Sequence, residues 1–464
     1  MTRNQLWKIA PMLLACLAMH PRTANSAESL KLTTSVSTPT MLAEAKSTTY
    51  LRISLDGPEI EAVINRPPIN VAIVIDKSSS MSGARIDQAK LAAIAAVERL
   101  RDKDIVSIVL YDSVVEVLVP STKATDRGAI IRKIRAVEVG SSTALFAGVA
   151  SGAAEVRKFL ERGAVNRVIL LSDGQANIGP SSPIELADLG RSLAKENISV
   201  STLGVGQGYN EDLMMQLAAA SSGNHVFVED AASLVAIFNR EFDTLMNVVA
   251  SDIRINVTLP DYVRPVRVLG TDAHIDGREI TIPLTQLYSG QNRYFIVELE
   301  VDGRNVNTKQ QIAKVETSFT STMTKQSDLR SSIVDARFTS SSAEVENDTN
   351  LETLAYATVL VTTDRNRLAT ALRDAGKIED AKKLLNLNTV ELEKCRIICE
   401  AKNVTIVVPV LNDNVSENKL QAAEIGDNQK WQSGRKRMVE FYNGNVQQQG
   451  FDGGYRSGSM PKKP

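Results

Sequence analysis

Histidine and cysteine are both scarce in this chain of 464 residues, which contains three of each. They are His20, His225 and His274, and Cys16, Cys395 and Cys399. Zinc sites draw mainly on Cys and His, and disulfide scaffolds need several paired cysteines. The sequence offers little material for a zinc site, a His-dependent catalytic triad or a disulfide framework. Metal chemistry in this chain would therefore have to use oxygen ligands.

The chain also lacks a charge excess and has few long apolar runs. Its 53 basic and 54 acidic side chains give a pI of about 6.4, so no global positive charge is available to grip a nucleic-acid backbone. Only one apolar run approaches the length that a bilayer requires, which excludes a polytopic membrane protein. With 43% hydrophobic and 23% charged residues, the composition predicts a soluble globular protein of two or three domains.

The N-terminus resembles an export signal. Arg3 and Lys8 precede a short apolar stretch at residues 9–19, which small and polar residues follow. This arrangement predicts a signal peptide spanning residues 1–27 and a secreted or periplasmic mature protein. Alternatively, the run Leu-Leu-Ala before Cys16 loosely fits a lipoprotein signal, which would anchor the mature chain through lipid on that cysteine.

Fully apolar strands alternate with amphipathic helices from Asn70 to Val249. This alternation is typical of a parallel sheet that is covered by helices on both faces, so we predict a doubly wound α/β fold with six mostly parallel strands. The apolar run at Val114–Pro120 follows its predecessor too closely for a crossover helix. It should therefore be an antiparallel edge strand.

Alternating polarity on both sides of this unit predicts β-structure. Because one such segment precedes the α/β unit and the others follow it, we expect the unit to be inserted into a β-sandwich. Helices are predicted afterwards at Leu351–Ala375, Glu379–Leu385, Thr389–Lys402 and Lys430–Tyr442. The predicted divisions are a signal peptide (1–27), N-terminal strands (28–67), the α/β domain (68–249), the rest of the sandwich (250–342), a helical region (343–443) and a disordered Gly-, Gln- and Ser-rich tail (444–464).

Oxygen-bearing side chains follow three of the predicted elements. Asp76, Ser78 and Ser80 form a D-x-S-x-S turn at the end of the first buried strand. Thr143 stands just before a helix, and Asp173 ends a later buried strand. In open parallel sheets, ligands bind at the carboxyl ends of the strands. Two carboxylates and three hydroxyls at this edge, completed by water, suit Mg²⁺ and leave one coordination position for an outside oxygen.

Each of these motifs alone could be a helix N-cap, but all three occur in order at predicted strand ends or helix starts. Together they resemble the von Willebrand factor type A domain with its metal-ion-dependent adhesion site, over about residues 68–249. The resemblance implies a non-enzymatic adhesion or assembly module. It also implies that Mg²⁺, Mn²⁺ or Ca²⁺ at this site binds an acidic residue of a partner protein. The flanking segments resemble those of exported bacterial proteins that carry this domain within a β-sandwich.

Three other functions compete with this interpretation. Similar domains occur in calcium-activated chloride channel regulators, so a channel-associated or envelope-assembly subunit is one alternative, although a chain without a second apolar span cannot itself form a helical pore. A Mg²⁺-dependent hydrolase with Asp76 as nucleophile would need a further acid or base among the motif residues, and none is identifiable. The glycine run at Gly204 lacks the third glycine of a dinucleotide-binding loop, because Tyr209 occupies that position. We expect a tight turn there, with Asn210 capping the next helix.

Several remaining polar residues are predicted to be structural. His225 lies in a short strand, and His274 precedes a turn and should be exposed. Cys395 and Cys399 share the apolar stripe of a helix, which favours two buried thiols over a strained disulfide or a metal site. The basic run Arg435–Met438 is typical of a solvated helix face, with a basic docking site as the alternative.

Overall fold

The structure is a computed structural model that describes residues 29–59, 66–161, 164–206 and 208–448. The predicted signal peptide and Cys16 lie outside the described residues. The strands are β1 (Lys31–Val36), β2 (Thr40–Leu42), β3 (Ser47–Asp56), β4 (Ile69–Asp76), β5 (Ile105–Tyr111), β6 (Val115–Lys123), β7 (Val165–Ser172), β8 (Ser199–Val205), β9 (His225–Val228), β10 (Val248–Thr258), β11 (Val263–Leu269), β12 (His274–Asp276), β13 (Glu279–Tyr288), β14 (Asn292–Val301), β15 (Lys309–Ser321) and β16 (Ser327–Thr339). The helices are α1 (Ala84–Arg99), α2 (Arg127–Arg135), α3 (Leu145–Arg157), α4 (Pro183–Lys195), α5 (Glu211–Ala220), α6 (Leu234–Met246), α7 (Ser342–Asn347), α8 (Leu351–Asp374), α9 (Ile378–Ala401), α10 (Val408–Glu424) and α11 (Trp431–Gln447).

A six-stranded sheet with the order β6-β5-β4-β7-β8-β9 forms the centre of the α/β unit. Its strands pair in parallel except at the edge, where β6 runs antiparallel to β5. Every residue of β4, β7 and β8 is buried, as expected for strands that are covered on both faces. The predicted α/β class, the six mostly parallel strands and the antiparallel edge strand are confirmed.

Helices cover both faces of this sheet. One hydrophobic core joins it to α1, α2 and α6, and a second core joins it to α3, α4 and α5. Helix α3 lies unusually close, because a β-carbon at Gly152 would stand only 2.5 Å from Val74 Cγ2 and one at Gly148 would stand 2.6 Å from Tyr111 Cδ1. These glycines let the start of α3, directly after Thr143, approach the carboxyl end of the sheet.

Segments on both sides of the α/β unit combine in two further sheets. The first has the order β1-β3-β14-β11 and the second has the order β12-β13-β10-β15-β16-β2. Strand β3 pairs antiparallel with β14 over ten residues, so the chain before the α/β unit is held by the chain after it. Leucine, isoleucine, valine and phenylalanine side chains of both sheets share one hydrophobic core.

The C-terminal region is helical, as predicted, but its elements differ from the prediction. Helix α9 is continuous where two helices with a break after Leu385 were expected. The break is absent because Asn388 is buried and its amide donates to Thr362 O at 3.1 Å and to Asn366 Oδ1 at 2.7 Å on α8. Helix α10 was not predicted at all.

Two helix ends also differ from the prediction. The alternation of strands and helices was expected to continue to Val249, but the last helix of the α/β unit ends at Met246, because residues from Val248 onward pair with β13. Helix α11 runs to Gln447, three residues past the boundary at Gly444 that the sequence suggested. Its end is held by side chains of β14 and the turn before it, since Arg293 donates to Val446 O and Gln291 donates to Gln447 O. In the part of the chain that the structure describes, no helix is long and apolar enough to cross a membrane.

Candidate metal centre

The five predicted ligands lie at the carboxyl edge of the central sheet. Asp76 is the last residue of β4, and Asp173 directly follows β7. Asp76, Ser78, Thr143 and Asp173 are each at most 2% exposed, whereas Ser80 is exposed. The two carboxylates of the site are therefore buried, and the hydroxyl-bearing Ser80 is accessible to solvent.

Backbone hydrogen bonds join the three loops that carry these residues. Ser79 N donates to Ser141 O at 2.9 Å, which ties the first loop to the loop before α3. Asn177 N donates to Thr143 O at 3.1 Å, and Thr143 N donates to Asn177 Oδ1 at 2.8 Å, which ties that loop to the one after β7. The three sequence motifs thus meet in one place.

Asp76 is fixed by several donors. Its Oδ1 accepts from Ser78 N at 2.8 Å, and its Oδ2 accepts from Ser172 Oγ at 2.6 Å and from Tyr111 OH at 3.2 Å. Burial nevertheless raises the pKa of Asp76 above its ordinary value, and the neighbouring charge of Asp173 raises it further. The hydrogen bonds from Ser172 and Ser78 lower the pKa but do not offset this rise. A cation between the two carboxylates would favour the ionised form.

Asp173 supplies the clearest sign of a missing partner. It is 2% exposed, and its Oδ1 has no hydrogen-bond partner among the described residues. Its Oδ2 stands 3.7 Å from Arg85 Nη1. A buried carboxylate oxygen without a partner is costly, so such an atom calls for an explanation. A bound cation would provide one.

The donor set fits a hard divalent cation. The candidate ligands are two carboxylates and three hydroxyls, and the described residues contain no cluster of three or more Asp, Glu, His or Cys side chains that could hold a metal. Oxygen ligands of this kind suit Mg²⁺, Mn²⁺ or Ca²⁺ more than Zn²⁺ or copper. The residues present therefore fit the metal that the motifs suggest.

A salt bridge supports the loop before α3. Lys77 Nζ lies 2.5 Å from Asp112 Oδ2, and Gly140 N donates to Lys77 O at 2.6 Å. A side chain at Gly140 would overlap Asp112, because its β-carbon would stand 1.7 Å from Asp112 Oδ2. Glycine is required there for the loop to approach the first motif.

Sequence reasoning missed three residues that shape the site. Tyr111 and Ser172 bond to Asp76 from the neighbouring strands β5 and β7, and Arg85 reaches Asp173 from the start of α1. Tyr111 could have been found by aligning strand ends, since it is the register partner of Asp76. Ser172 and Arg85 have no comparable sequence signal.

The other predicted residues lie elsewhere. His225 is buried between Thr202 Oγ1 at 2.9 Å and Tyr209 OH at 3.0 Å, and burial lowers its pKa to about 4. His274 is exposed, as expected. Asn210 caps α5 by accepting from Leu213 N, also as expected.

Cys395 and Cys399 are both buried and free, as predicted.

The prediction of a solvated face for the basic run in α11 is wrong. Lys436 is 3% exposed, and its Nζ lies 2.6 Å from Glu211 Oε2 and 2.8 Å from Tyr209 O. Arg435 pairs with Glu211 and Asp212 of α5, each at 2.7 Å. These charges are used inside the molecule, where they hold α11 against the α/β unit.

A family comparison agrees with this geometry, because residues 70–240 match the model of the von Willebrand factor type A domain. The α/β unit is a type A domain. Type A domains form a family of protein-interaction and adhesion modules.

Curated relatives share this region at low identity. The Escherichia coli uncharacterized protein YfbK is 27% identical over 207 residues, which is 44% of this chain and 36% of that protein. Human inter-alpha-trypsin inhibitor heavy chain H3 is 28% identical over 165 residues, which is 34% of this chain and 18% of that protein. The matches thus span less than half the length of these relatives.

Two solved structures share more of the fold. A von Willebrand factor type A protein from Catenulispora acidiphila has a TM-score of 0.65 at 16% identity, and the match covers 84% of this chain and 90% of the Catenulispora chain. The ArnB paralog VWA2 from Sulfolobus acidocaldarius has a TM-score of 0.62 at 16% identity, and the match covers 90% of this chain and 98% of the ArnB paralog. Since both cover far more than the type A domain, the similarity in fold extends to the flanking sheets and helices.

Proposed function

We propose that the type A domain holds a divalent cation through Asp76, Ser78, Ser80, Thr143 and Asp173, and that the bound cation receives a carboxylate of a protein partner. The cation would supply an electrophilic centre with one open coordination position. The observation that carries the proposal is the buried Oδ1 atom of Asp173, which lacks a hydrogen-bond partner among the described residues and lies near a second buried carboxylate.

The chain's own residues set how strongly the cation attracts a ligand. Asp76 and Asp173 nearly neutralise a divalent charge if both coordinate directly, whereas a water between one carboxylate and the cation leaves more positive charge for the ligand. Asp76 already accepts three hydrogen bonds, which spread its negative charge over neighbouring donors. Ser80 is exposed at the rim, so the open position would face solvent and a partner.

The wider role that fits this site is non-enzymatic recognition by an exported protein. The charged segment before the apolar run at the N-terminus supports export, either as a secreted or periplasmic protein or as a lipoprotein through Cys16. A pulldown from the native envelope or medium, with Mg²⁺ in one arm and a chelator in the other, would identify the partner. A partner retained equally in both arms would contradict metal-bridged binding.

The metal site itself is tested by replacing Asp173 with Ala. The change removes one oxygen donor and one charge, and the fully paired sheet below should keep its fold. We expect Mn²⁺ affinity, measured by isothermal titration calorimetry, to fall at least about tenfold, which corresponds to about 1.4 kcal/mol. Ser78→Ala and Thr143→Ala should weaken binding in the same direction.

Asp188→Ala is the matched control, because Asp188 is an acidic residue on α4 whose side chain is 66% exposed and pairs with Arg191 of the same helix. This variant should bind Mn²⁺ like the wild type. If Asp173→Ala also bound Mn²⁺ with wild-type affinity, the three loops would be helix caps on a structural domain and the proposed metal site would be wrong.

A further inference from the structure

Arg85 stands at the rim of the candidate metal centre between two of its loops. Its Nη1 donates to Ser80 O at 2.9 Å and lies 3.7 Å from Asp173 Oδ2. The guanidinium also lies against Gly206, where a β-carbon would stand 2.9 Å from Arg85 Nη2. The side chain remains 37% exposed, so it contacts the site and is also accessible to solvent.

This position is unfavourable for a positive charge on two grounds. Arg85 is the second residue of α1, where the helix dipole favours an acidic side chain over a basic one. It also stands beside carboxylates that would hold a cation, which it would repel. The other basic side chain of the first loop, Lys77, is occupied by its salt bridge to Asp112. A positively charged side chain at such a place is suited to the binding of an anion.

We propose that Arg85 is a second anchor for the acidic partner. Without metal, its charge partly neutralises Asp173. If a divalent cation neutralises Asp173 instead, the guanidinium is available to a partner carboxylate. One oxygen of that carboxylate would bind the cation, and the other would accept from Arg85. An arginine fork is suited to this geometry, because its N–H groups can meet a carboxylate in the plane. This inference rests on the proposed function.

The proposal requires Arg85→Ala to move two affinities in opposite directions. Loss of the positive charge beside Asp173 should tighten Mn²⁺ binding by about threefold to tenfold at low ionic strength. At saturating Mn²⁺, the same variant should bind a carboxylate at least about fivefold more weakly. A purely structural role for Arg85 would instead loosen the site and weaken both.

The first affinity is measured by calorimetric titration of Mn²⁺ into the full chain. The second is measured by fluorescence anisotropy of a labelled eight-residue peptide with one central glutamate, with the matching glutamine peptide as the blank. Arg85→Lys keeps the charge but not the planar fork, so it should keep wild-type Mn²⁺ affinity and only partly restore peptide binding. Arg99→Ala is the matched control, because Arg99 lies at the far end of the same helix and pairs with Asp243.

The outcomes separate the two proposals. If the wild type bound Mn²⁺ but showed no Mn²⁺-dependent preference for the glutamate peptide, the proposed recognition of a carboxylate would fail. If the wild type showed that preference and Arg85→Ala bound the peptide equally well, the anchor role alone would be refuted. Weaker Mn²⁺ binding by Arg85→Ala would likewise refute the anchor role and make Arg85 a structural support of the Ser80 loop.

Discussion

A buried charge network should determine how firmly the type A domain is joined to the flanking sheets. Arg167 on β7 and Glu241 on α6 are both fully buried, with 2.9 Å between Nη1 and Oε1. Arg167 Nη2 also donates to Gln286 Oε1 and Tyr288 OH of β13, each at 2.6 Å. The guanidinium thus links the last helix of the type A domain to a strand of the second sheet.

We predict that Arg167→Met lowers the free energy of unfolding by about 3–5 kcal/mol, because it leaves the Glu241 carboxylate buried without its cation. Asn224 Nδ2 still donates to Glu241 Oε2 at 2.7 Å, and Ser201 Oγ still donates to Glu241 Oε1, but two neutral donors do not replace a positive charge. The double variant Arg167→Met with Glu241→Gln should recover about half of the loss, since no unpaired charge remains.

Urea denaturation followed by far-ultraviolet circular dichroism measures these differences. Arg191→Met is the matched control, because Arg191 is an exposed arginine that pairs with Asp188 one helical turn away, and its loss should cost less than about 1 kcal/mol. Arg167→Met should also separate the unfolding of the type A domain from that of the flanking sheets in calorimetry. If Arg167→Met were as stable as the control, or if the double variant were no better than the single one, the unpaired-charge argument would be wrong.

Two further predictions concern His225 and α11. Burial holds the pKa of His225 at about 4 against the ordinary 6.5, so its stability contribution is complete above pH 6.5 and is lost as the pH falls towards 4, by up to about 3 kcal/mol. The free energy of unfolding in urea should therefore change less between pH 7.5 and pH 4.5 in His225→Asn than in the wild type. The exposed control His274→Asn should change as much as the wild type. Equal changes in all three proteins would contradict this prediction. Lys436→Met removes one of the two cations that pair with Glu211 and should increase amide hydrogen exchange in residues 431–447, whereas Arg437→Met, at a partly exposed pair, should leave exchange unchanged. Unaltered exchange in the first variant would show that α11 is held by other contacts.

The sequence was most informative where local pattern and burial coincide. Strands β4 and β7 are mainly apolar and are buried at every residue, so the parallel sheet could be predicted from the sequence. The helical region was less predictable because buried polar residues of one helix hydrogen-bond to groups on another helix. Asn388 lies in the predicted gap between two helices, yet its amide donates to Thr362 and Asn366 of the adjacent helix. Such a partnership has no signature in one segment alone.

The prediction of a solvated face for the basic run of α11 was wrong for a similar reason. Glu211 and Asp212 lie in the first turn of α5, where acids suit the helix dipole, and the run that begins at Arg435 was predicted to be a solvated face. Each interpretation was reasonable for its own helix, but the structure pairs the two groups across more than two hundred residues. Charge complementarity between distant segments is a property of tertiary packing, so periodicity and composition could not reveal it.

The common location of the candidate ligands was predictable from the sequence, whereas the residues that support them were not. Asp76, Thr143 and Asp173 follow strands or precede a helix, and that position alone brings them to one edge of a parallel sheet. Tyr111 and Arg85 act across strand register and loop packing, which only the structure defines. Occupancy of the site by a metal is a prediction that calorimetric titration of Mn²⁺ tests.

The position of Arg167 bears on how the site would work. Asp173 directly follows β7 and lies six residues after Arg167, a separation of about 20 Å in an extended chain. The Arg167 end is fixed by hydrogen bonds from its guanidinium to two serines, Glu241 and two residues of β13. Because β7 also pairs with a buried strand on each side, Asp173 is presented from a rigid element. Binding of a cation should therefore require rearrangement mainly in the loops around Ser80 and Thr143, and a rigid carboxylate with adaptable hydroxyls is suited to a site whose last ligand comes from another molecule.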